Sequence, residues 1–370
     1  MEHTPQGSDL ASGPRIAVLG TGANGSAIGV DLVRAGLDVT FIDQWPDNVE
    51  TIRRDGVRVE LAGDATVTPV EILHLCEVAT LRRPFDVVLL LVKAYDTRWA
   101  AELIKPYVAD DGVVVGVQNG MTGEVLAEVL GEHRAVGAVI EITSAMYTPG
   151  VVERHSAHDR SWFAVGAVHP AAAGRVPLVA ELLRHAGTVE ETTDIHSAKW
   201  MKLILNAAEL VPSAIVDLSI ADSARHPQMR ELMLEAGNEA VRAAQLDGAT
   251  IRPIFGMAET TPETFVETIL DELLAHYVLT HSRSTVLQDW IKGRHSEVDE
   301  LNGHVVATLA AHSGSAPVNT AMVELAREIE RGDAERGLHQ VEPLRERAFH
   351  SSAEGSGSSA GSPSSAGSGS

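Results

Sequence analysis

The chain reads as a mostly parallel, doubly wound α/β domain followed by an all-helical domain. Three observations predict this. The stretch Arg15 to Asp43, RIAVLGTGANGSAIGVDLVRAGLDVTFID, runs as strand, glycine turn, helix and strand. Asp86–Val92 (DVVLLLV), Gly112–Val117 and Val136–Ile142 are nearly continuous apolar runs separated by helical stretches. Parallel strands covered on both faces read this way, and their alternation with helices marks βαβ units. From Asp194 onward only the helical period remains.

Taken in order, residues 1–13 read as a disordered lead. Ile16 to Leu19 is a buried strand ending in Gly20-Thr21-Gly22-Ala23-Asn24-Gly25. Gly20 permits the tight turn, Gly22 lets the backbone approach a pyrophosphate, and Gly25 lets the next helix pack close. The helix carries Ile28, Leu32 and Val33 on its apolar side, and its free N–H groups face the phosphates. A second strand, Val39 to Ile42, ends at Asp43, about 20 residues beyond the turn, where an acid meets ribose hydroxyls. This context makes the glycine pattern a dinucleotide-binding fingerprint, so the first domain is a Rossmann domain.

A helix at Asn48–Arg54, a strand at Val57–Leu61 and another at Thr66–Ile72 come next. Helices follow at Arg98–Ile104 and Glu124–Leu130. Near Tyr147 the pattern changes to TPGVVERH and SWFAVG, which predict antiparallel strands closing the edge of the same domain. The helix Leu178–His185 and the strand Thr188–Glu191 complete a dinucleotide-binding domain over 14–192. Helices at Ala198–Ala208, Met229–Gln245, Pro262–Ala275, Gln288–Lys292, Glu297–His312 and Asn319–Arg331 make a substrate domain over 193–347. Residues 348–370, nearly all Ser, Gly and Ala at their end, read as a disordered tail.

With 370 residues, 44% hydrophobic and 22% charged, the composition is that of a globular two-domain protein. A net charge of −22 argues against a nucleic-acid or anionic-membrane partner. A single cysteine, Cys76, excludes an internal disulfide and fits a reducing cytosol. No stretch is long and apolar enough for a membrane span, and the N-terminus lacks a secretory signal, so a cytoplasmic location is expected.

Four further groups carry potential chemistry. Lys93 in VKAY ends a buried strand, where ligands of α/β sheets lie; the plain alternative is a solvated lysine. Asn119 in QNGM occupies the equivalent place on the next strand and can donate and accept; the alternative is an Asn-Gly turn. Lys202 and Asn206 lie four residues apart on one helix face among Trp200, Met201, Leu203, Ile204 and Leu205. Partial removal from water makes an ammonium a better proton donor, although a structural lysine is the commoner case. Thr285 to Gly303, TVLQDWIKGRHSEVDELNG, places Glu297 just inside a helix start, where acids are favoured in any case.

Together, the fingerprint, VKAY, QNGM, KLILN and GRHSEVDELNG stand in the order and spacing of the ketopantoate reductases, and the chain resembles that family over 15–340. The resemblance implies a Rossmann domain, a helical domain and an active site in the cleft between them. It implies Lys202 as the catalytic general acid and Glu297 as the glutamate that meets the substrate hydroxyl and sets the state of the lysine. By the same resemblance Asn206 faces the substrate, Asn119 lies near the nicotinamide, Lys93 is on the cofactor side, and Thr285 stands at a carboxylate-binding serine position. The implied reaction is NAD(P)H-dependent reduction of 2-dehydropantoate to pantoate, with no metal.

Two departures stand out. The family's second asparagine, one turn beyond Asn206, is replaced by Leu210 or Val211. That leaves room for another branched 2-oxo acid, hence a different 2-hydroxy-acid dehydrogenase. The basic residue usual after the second strand in NADPH users is replaced by the pair Asp43-Gln44. A carboxylate there favours NADH over NADPH, the alternative being that Arg53 or Arg54 handles a 2′-phosphate. A non-enzymatic NAD(H) sensor is a third reading, disfavoured because a binder needs none of Lys202, Asn206 and Glu297. The sequence leaves monomer and homodimer open.

Overall fold

The computed structural model describes residues 13–257 and 259–350. Apart from Gly13, the expected lead lies outside them, as does the expected tail beyond residue 350. Residues 348–350, assigned to that tail from sequence, continue the last helix.

Twelve strands are described: β1 (Arg15–Leu19), β2 (Asp38–Asp43), β3 (Val57–Leu61), β4 (Asp64–Thr68), β5 (Glu71–His74), β6 (Phe85–Leu90), β7 (Val108–Gly116), β8 (Ala135–Glu141), β9 (Ser144–Thr148), β10 (Val151–Arg154), β11 (Trp162–Ala167) and β12 (Thr188–Glu191). The first helices are α1 (Ala23–Arg34), α2 (Pro46–Asp55), α3 (Thr97–Ile104), α4 (Gly123–Leu130) and α5 (Val176–Leu183). The helical half holds α6 (Ile195–Ile215), α7 (Ile220–Arg225), α8 (Pro227–Leu246), α9 (Phe265–His276), α10 (Thr285–Ile291), α11 (Asn302–Ala311), α12 (Pro317–Arg331) and α13 (Val341–His350).

The main sheet has the order β12-β11-β8-β7-β6-β1-β2-β5. Every pairing is parallel except β8 with β11, which is antiparallel with Phe163 opposite Ile140. The period of two divides its side chains between two cores. Ile16, Val18, Phe41, Val87 and Leu89 pack with Ile28 and Leu32 of α1, Ile52 of α2 and Val179 of α5. Ala17, Leu19, Val88 and Leu90 pack with Ala100 and Ile104 of α3 and with Leu126 and Leu130 of α4. The doubly wound sheet is therefore as predicted.

Two expectations about strands fail. Thr66–Ile72 is not one strand but parts of two, β4 and β5, in different sheets. Pro69, which lacks an N–H for a ladder, separates them. Of the two segments only SWFAVG joins the main sheet, as β11, with β12 beyond it at the edge. The TPGVVERH segment belongs to a second sheet, β4-β3-β10-β9, that packs on α1. Its β3–β4 hairpin turns through Ala62 (φ 52°) and Gly63 (φ 91°), a pair of left-handed residues that suits the strand twist.

The helical half is built around α6. Asp194 caps its start by accepting from the Ser197 N–H at 3.0 Å. Every residue of α6 except His196 is buried. It packs against α8, α10, α12 and α9, and against β8 and β11 of the sheet. Val139, Trp162 and Ala164 join its core, so this helix ties both halves together. The helix expected at Glu297–His312 starts only at Asn302. Glu297 sits in the turn before it, its carboxylate held away from the helix path by the Ala94 N–H at 2.8 Å.

Candidate active site

Two cavities lie between the carboxyl ends of the parallel strands and the helical half. The larger, about 730 Å³, is lined by Gly20, Gly22, Ala23, Asp43, Gln44, Trp45 and Lys93 from the sheet side, and by Asp289, Lys292 and Arg294 from the helical side. The fingerprint geometry explains its floor. Gly20 has φ +97°, and a Cβ there would sit 2.5 Å from the Val92 nitrogen. A Cβ on Gly25 would lie 2.1 Å from the Gly20 oxygen. A Cβ on Gly22 would meet nothing within 4 Å, because that position opens on the cavity at the α1 N-terminus. An open approach to free helix N–H groups is what a pyrophosphate requires, so these residues fit a dinucleotide.

Asp43 is 2% exposed, and its carboxylate is already engaged. Oδ2 accepts from Thr21 Oγ1 and Asn48 Nδ2, both at 2.7 Å. Oδ1 accepts from the Gln44 and Trp45 N–H groups at 2.6 and 3.2 Å. Four donors fill the roughly four lone-pair sites of a carboxylate. Thr21 is thus a buried support for the turn and does not line the cavity. Arg53 pairs with Glu50 and Glu77, and Arg54 with Asp55, so neither faces this space. Positive charge comes instead from Lys292 and from Arg294, whose guanidinium lies 3.7 Å from the Trp45 ring centroid. Burial lowers the Lys292 ammonium to about 8 against the pull of Asp289.

The smaller cavity, about 80 Å³, brings together Lys202, Asn206, Asn119, Asn24 and Thr285. Lys202 is 9% exposed. Asn206 Nδ2 and Thr285 Oγ1 are buried and have no hydrogen-bond partner. Ser284 caps α10 and donates to the Leu210 carbonyl at 2.8 Å, which leaves its neighbour Thr285 to face the cavity. Asn24 Oδ1 accepts from the Ser144 hydroxyl at 2.5 Å. The fingerprint helix therefore reaches this cavity too.

One expected pairing is absent. Glu297 does not meet Lys202 and lines neither cavity. Its carboxylate accepts from the Ala94 N–H and lies 3.3 Å from Lys93 Nζ, which is also 2.5 Å from Asp289 Oδ2. Burial opposes the Lys93 charge, but the two carboxylates outweigh it and raise its proton affinity above the ordinary value. Lys202 Nζ pairs instead with Glu141 Oε2 at the end of β8.

Sequence reasoning missed four more residues here. Glu141 is an acid in an otherwise apolar strand run, and Glu209 an acid seven residues beyond Lys202 on an apolar helix; both anomalies were readable. Burial pushes the Glu209 carboxyl up to about 8, with Lys202 lowering it and Glu141 raising it. Lys199 donates to the Gln118 carbonyl, and burial lowers its ammonium to about 7 against the attraction of Glu297. Phe255 holds a left-handed φ of 59°, and its ring lies 5.5 Å below Lys202 Nζ. A bulky residue at positive φ is strained and persists where surroundings impose it. Among the described residues no cluster could hold a metal ion.

The family model for ketopantoate reductase PanE/ApbA matches residues 16–167, and its C-terminal counterpart matches 194–330. A 2-dehydropantoate 2-reductase of Halobacterium salinarum is 28% identical over 324 residues, covering 86% of this chain and 99% of the relative. The crystal structure of a PanE/ApbA family ketopantoate reductase from Ralstonia eutropha superposes with a TM-score of 0.72 at 27% identity, covering 86% of this chain and 99% of that one. D-mandelate dehydrogenase in a ternary structure with NADH and anilino(oxo)acetate gives a TM-score of 0.77 at 19% identity, over 86% and 99% of the two chains. At that identity the likeness is one of fold.

Proposed function

The chain belongs to the ketopantoate reductase PanE/ApbA family, and from that premise we propose that it reduces a 2-oxo acid, 2-dehydropantoate, at the Lys202 cavity. It is an oxidoreductase of the class acting on CH–OH with NAD(P). The observation that carries the proposal is the convergence of one ammonium and two unsatisfied polar atoms, Asn206 Nδ2 and Thr285 Oγ1, on a cavity adjoining the fingerprint. Buried polar atoms without partners are costly, and a carboxylate or carbonyl oxygen would satisfy both.

Gly22 and the α1 N-terminus would hold the pyrophosphate of a nicotinamide dinucleotide, whose reduced ring would supply the hydride. Negative charge then builds on the substrate's ketone oxygen. The Lys202 ammonium stabilises that charge and gives the oxygen its proton. Thr285 and Asn206 orient the acid, and Glu141 keeps the ammonium in place as a positioning residue. Lys93, Asp289 and Glu297 hold the helical half against the strand ends, and residues 14–192 and 193–347 act as cofactor and substrate domains.

NADH is the proposed cofactor, because a carboxylate at Asp43 beside the cavity opposes a 2′-phosphate. The second reading, NADPH, is favoured by Lys292 and Arg294 on the opposite wall. Steady-state oxidation of each nicotinamide with 2-dehydropantoate and a panel of 2-oxo acids tests both. Turnover of 2-dehydropantoate supports the proposal. Turnover only of another 2-oxo acid moves the substrate, and cofactor binding without any turnover contradicts it.

A further inference from the structure

Given a 2-oxo acid at Lys202, we propose that the Glu209 carboxyl group is the hydrogen-bond donor that selects a substrate bearing a hydroxyl beyond its oxo-acid end. The proposal rests on the reductase reading and adds the source of its specificity.

Positions 202, 206 and 209 share one face of α6. Glu209 is 3% exposed, lines the small cavity, and its Oε2 atom has no partner. Of the cavity's other polar groups, Glu141 is paired with Lys202, Ser284 bonds the Leu210 carbonyl and the Leu287 N–H, and Asn206 and Thr285 are assigned to the acid end of the substrate. At Leu210 the helix offers no polar side chain. Glu209, one residue earlier, brings a buried, unpartnered oxygen to the same cavity, placed to meet a second polar function of the substrate. Raised to about 8, its carboxyl is mainly neutral at pH 7. It then offers an O–H donor and an acceptor oxygen together, a match for a hydroxyl. A site built to bond a hydroxyl discriminates strongly against the analogue lacking it, because its own buried group is left unpaired.

The test compares 2-dehydropantoate with 3,3-dimethyl-2-oxobutanoate, the same acid with hydrogen in place of the hydroxyl. The wild type is expected to prefer the hydroxylated acid by about 100-fold or more in kcat/KM. Glu209→Leu should lower that ratio at least about tenfold, while Glu209→Gln, which keeps a donor, should hold it within about threefold. An unchanged ratio in Glu209→Leu, or an equal loss on both acids, overturns the proposal. Calorimetric binding of the two corresponding 2-hydroxy acids to enzyme loaded with oxidised cofactor reads the ratio without turnover. An enzyme that reduces neither acid thus refutes 2-dehydropantoate as the substrate, while the binding ratio still decides the role of Glu209. A wild-type binding ratio near one refutes that role.

Discussion

Lys202 and Glu141 form a buried ion pair across the junction of α6 and β8, while Glu297 lies with Lys93 at the strand ends. The acid that faces the proposed proton donor therefore comes from the sheet, not from the GRHSEVDELNG segment. Two separate pairs result, one lining the smaller cavity and one that ties the halves together.

Double-mutant cycles in denaturant separate the two pairs. Glu141→Gln with Lys202→Met should give a coupling energy of about 1–3 kcal/mol, as contacting buried charges do. Glu297→Gln with Lys202→Met should be additive to within about 0.5 kcal/mol. Coupling of Glu297 and absence of coupling for Glu141 would restore the pairing implied by the family resemblance.

Asp43 tests the cofactor reading. Asp43→Asn removes the charge while keeping the shape beside Thr21 and Asn48. A like-charge pair about 4 Å apart costs about 1 kcal/mol even at the dielectric of water. The ratio of kcat/KM for NADPH over NADH should therefore rise about fivefold or more. An unchanged ratio would make Asp43 a purely structural carboxylate, its charge absorbed by four donors.

Glu209 gives stability a pH dependence of known sign. Its folded value of about 8 lies above the ordinary 4.5, so the native state binds more protons between these limits. Stability from this group falls as pH rises through that window. Glu209→Gln cannot titrate, so the wild type should lose Tm relative to the variant between pH 5 and 8. Lys199 acts the other way at higher pH: lowered to about 7 from 10.5, it favours the native state increasingly between those values. The comparison with Glu209→Gln subtracts that contribution. A Tm difference independent of pH would contradict the assignment.

Much of this is legible in the amino-acid sequence. The fingerprint was readable because the left-handed turn at Gly20 and the close approach of Gly25 to the Gly20 carbonyl are local demands, and the α6 motif because Lys202 and Asn206 lie one turn apart. Partners across the fold were not. Glu141 is 61 residues from Lys202 in sequence, and only the docking of α6 on β8 and β11 brings them together. The second sheet was missed because β3 pairs with β10, far along the chain, through a register no local pattern encodes. The start of α11 was misplaced because Glu297 answers to Lys93 and the Ala94 N–H, contacts invisible to helix periodicity.

The most direct test of the account is the turnover of Lys202→Met with 2-dehydropantoate, with reduced-cofactor affinity measured in parallel. Loss of the general acid should lower kcat by about 10²–10⁴-fold and leave the cofactor affinity within about twofold, because Lys202 does not line the larger cavity. A variant that retains a tenth or more of wild-type turnover would contradict the assignment of Lys202 as the proton donor.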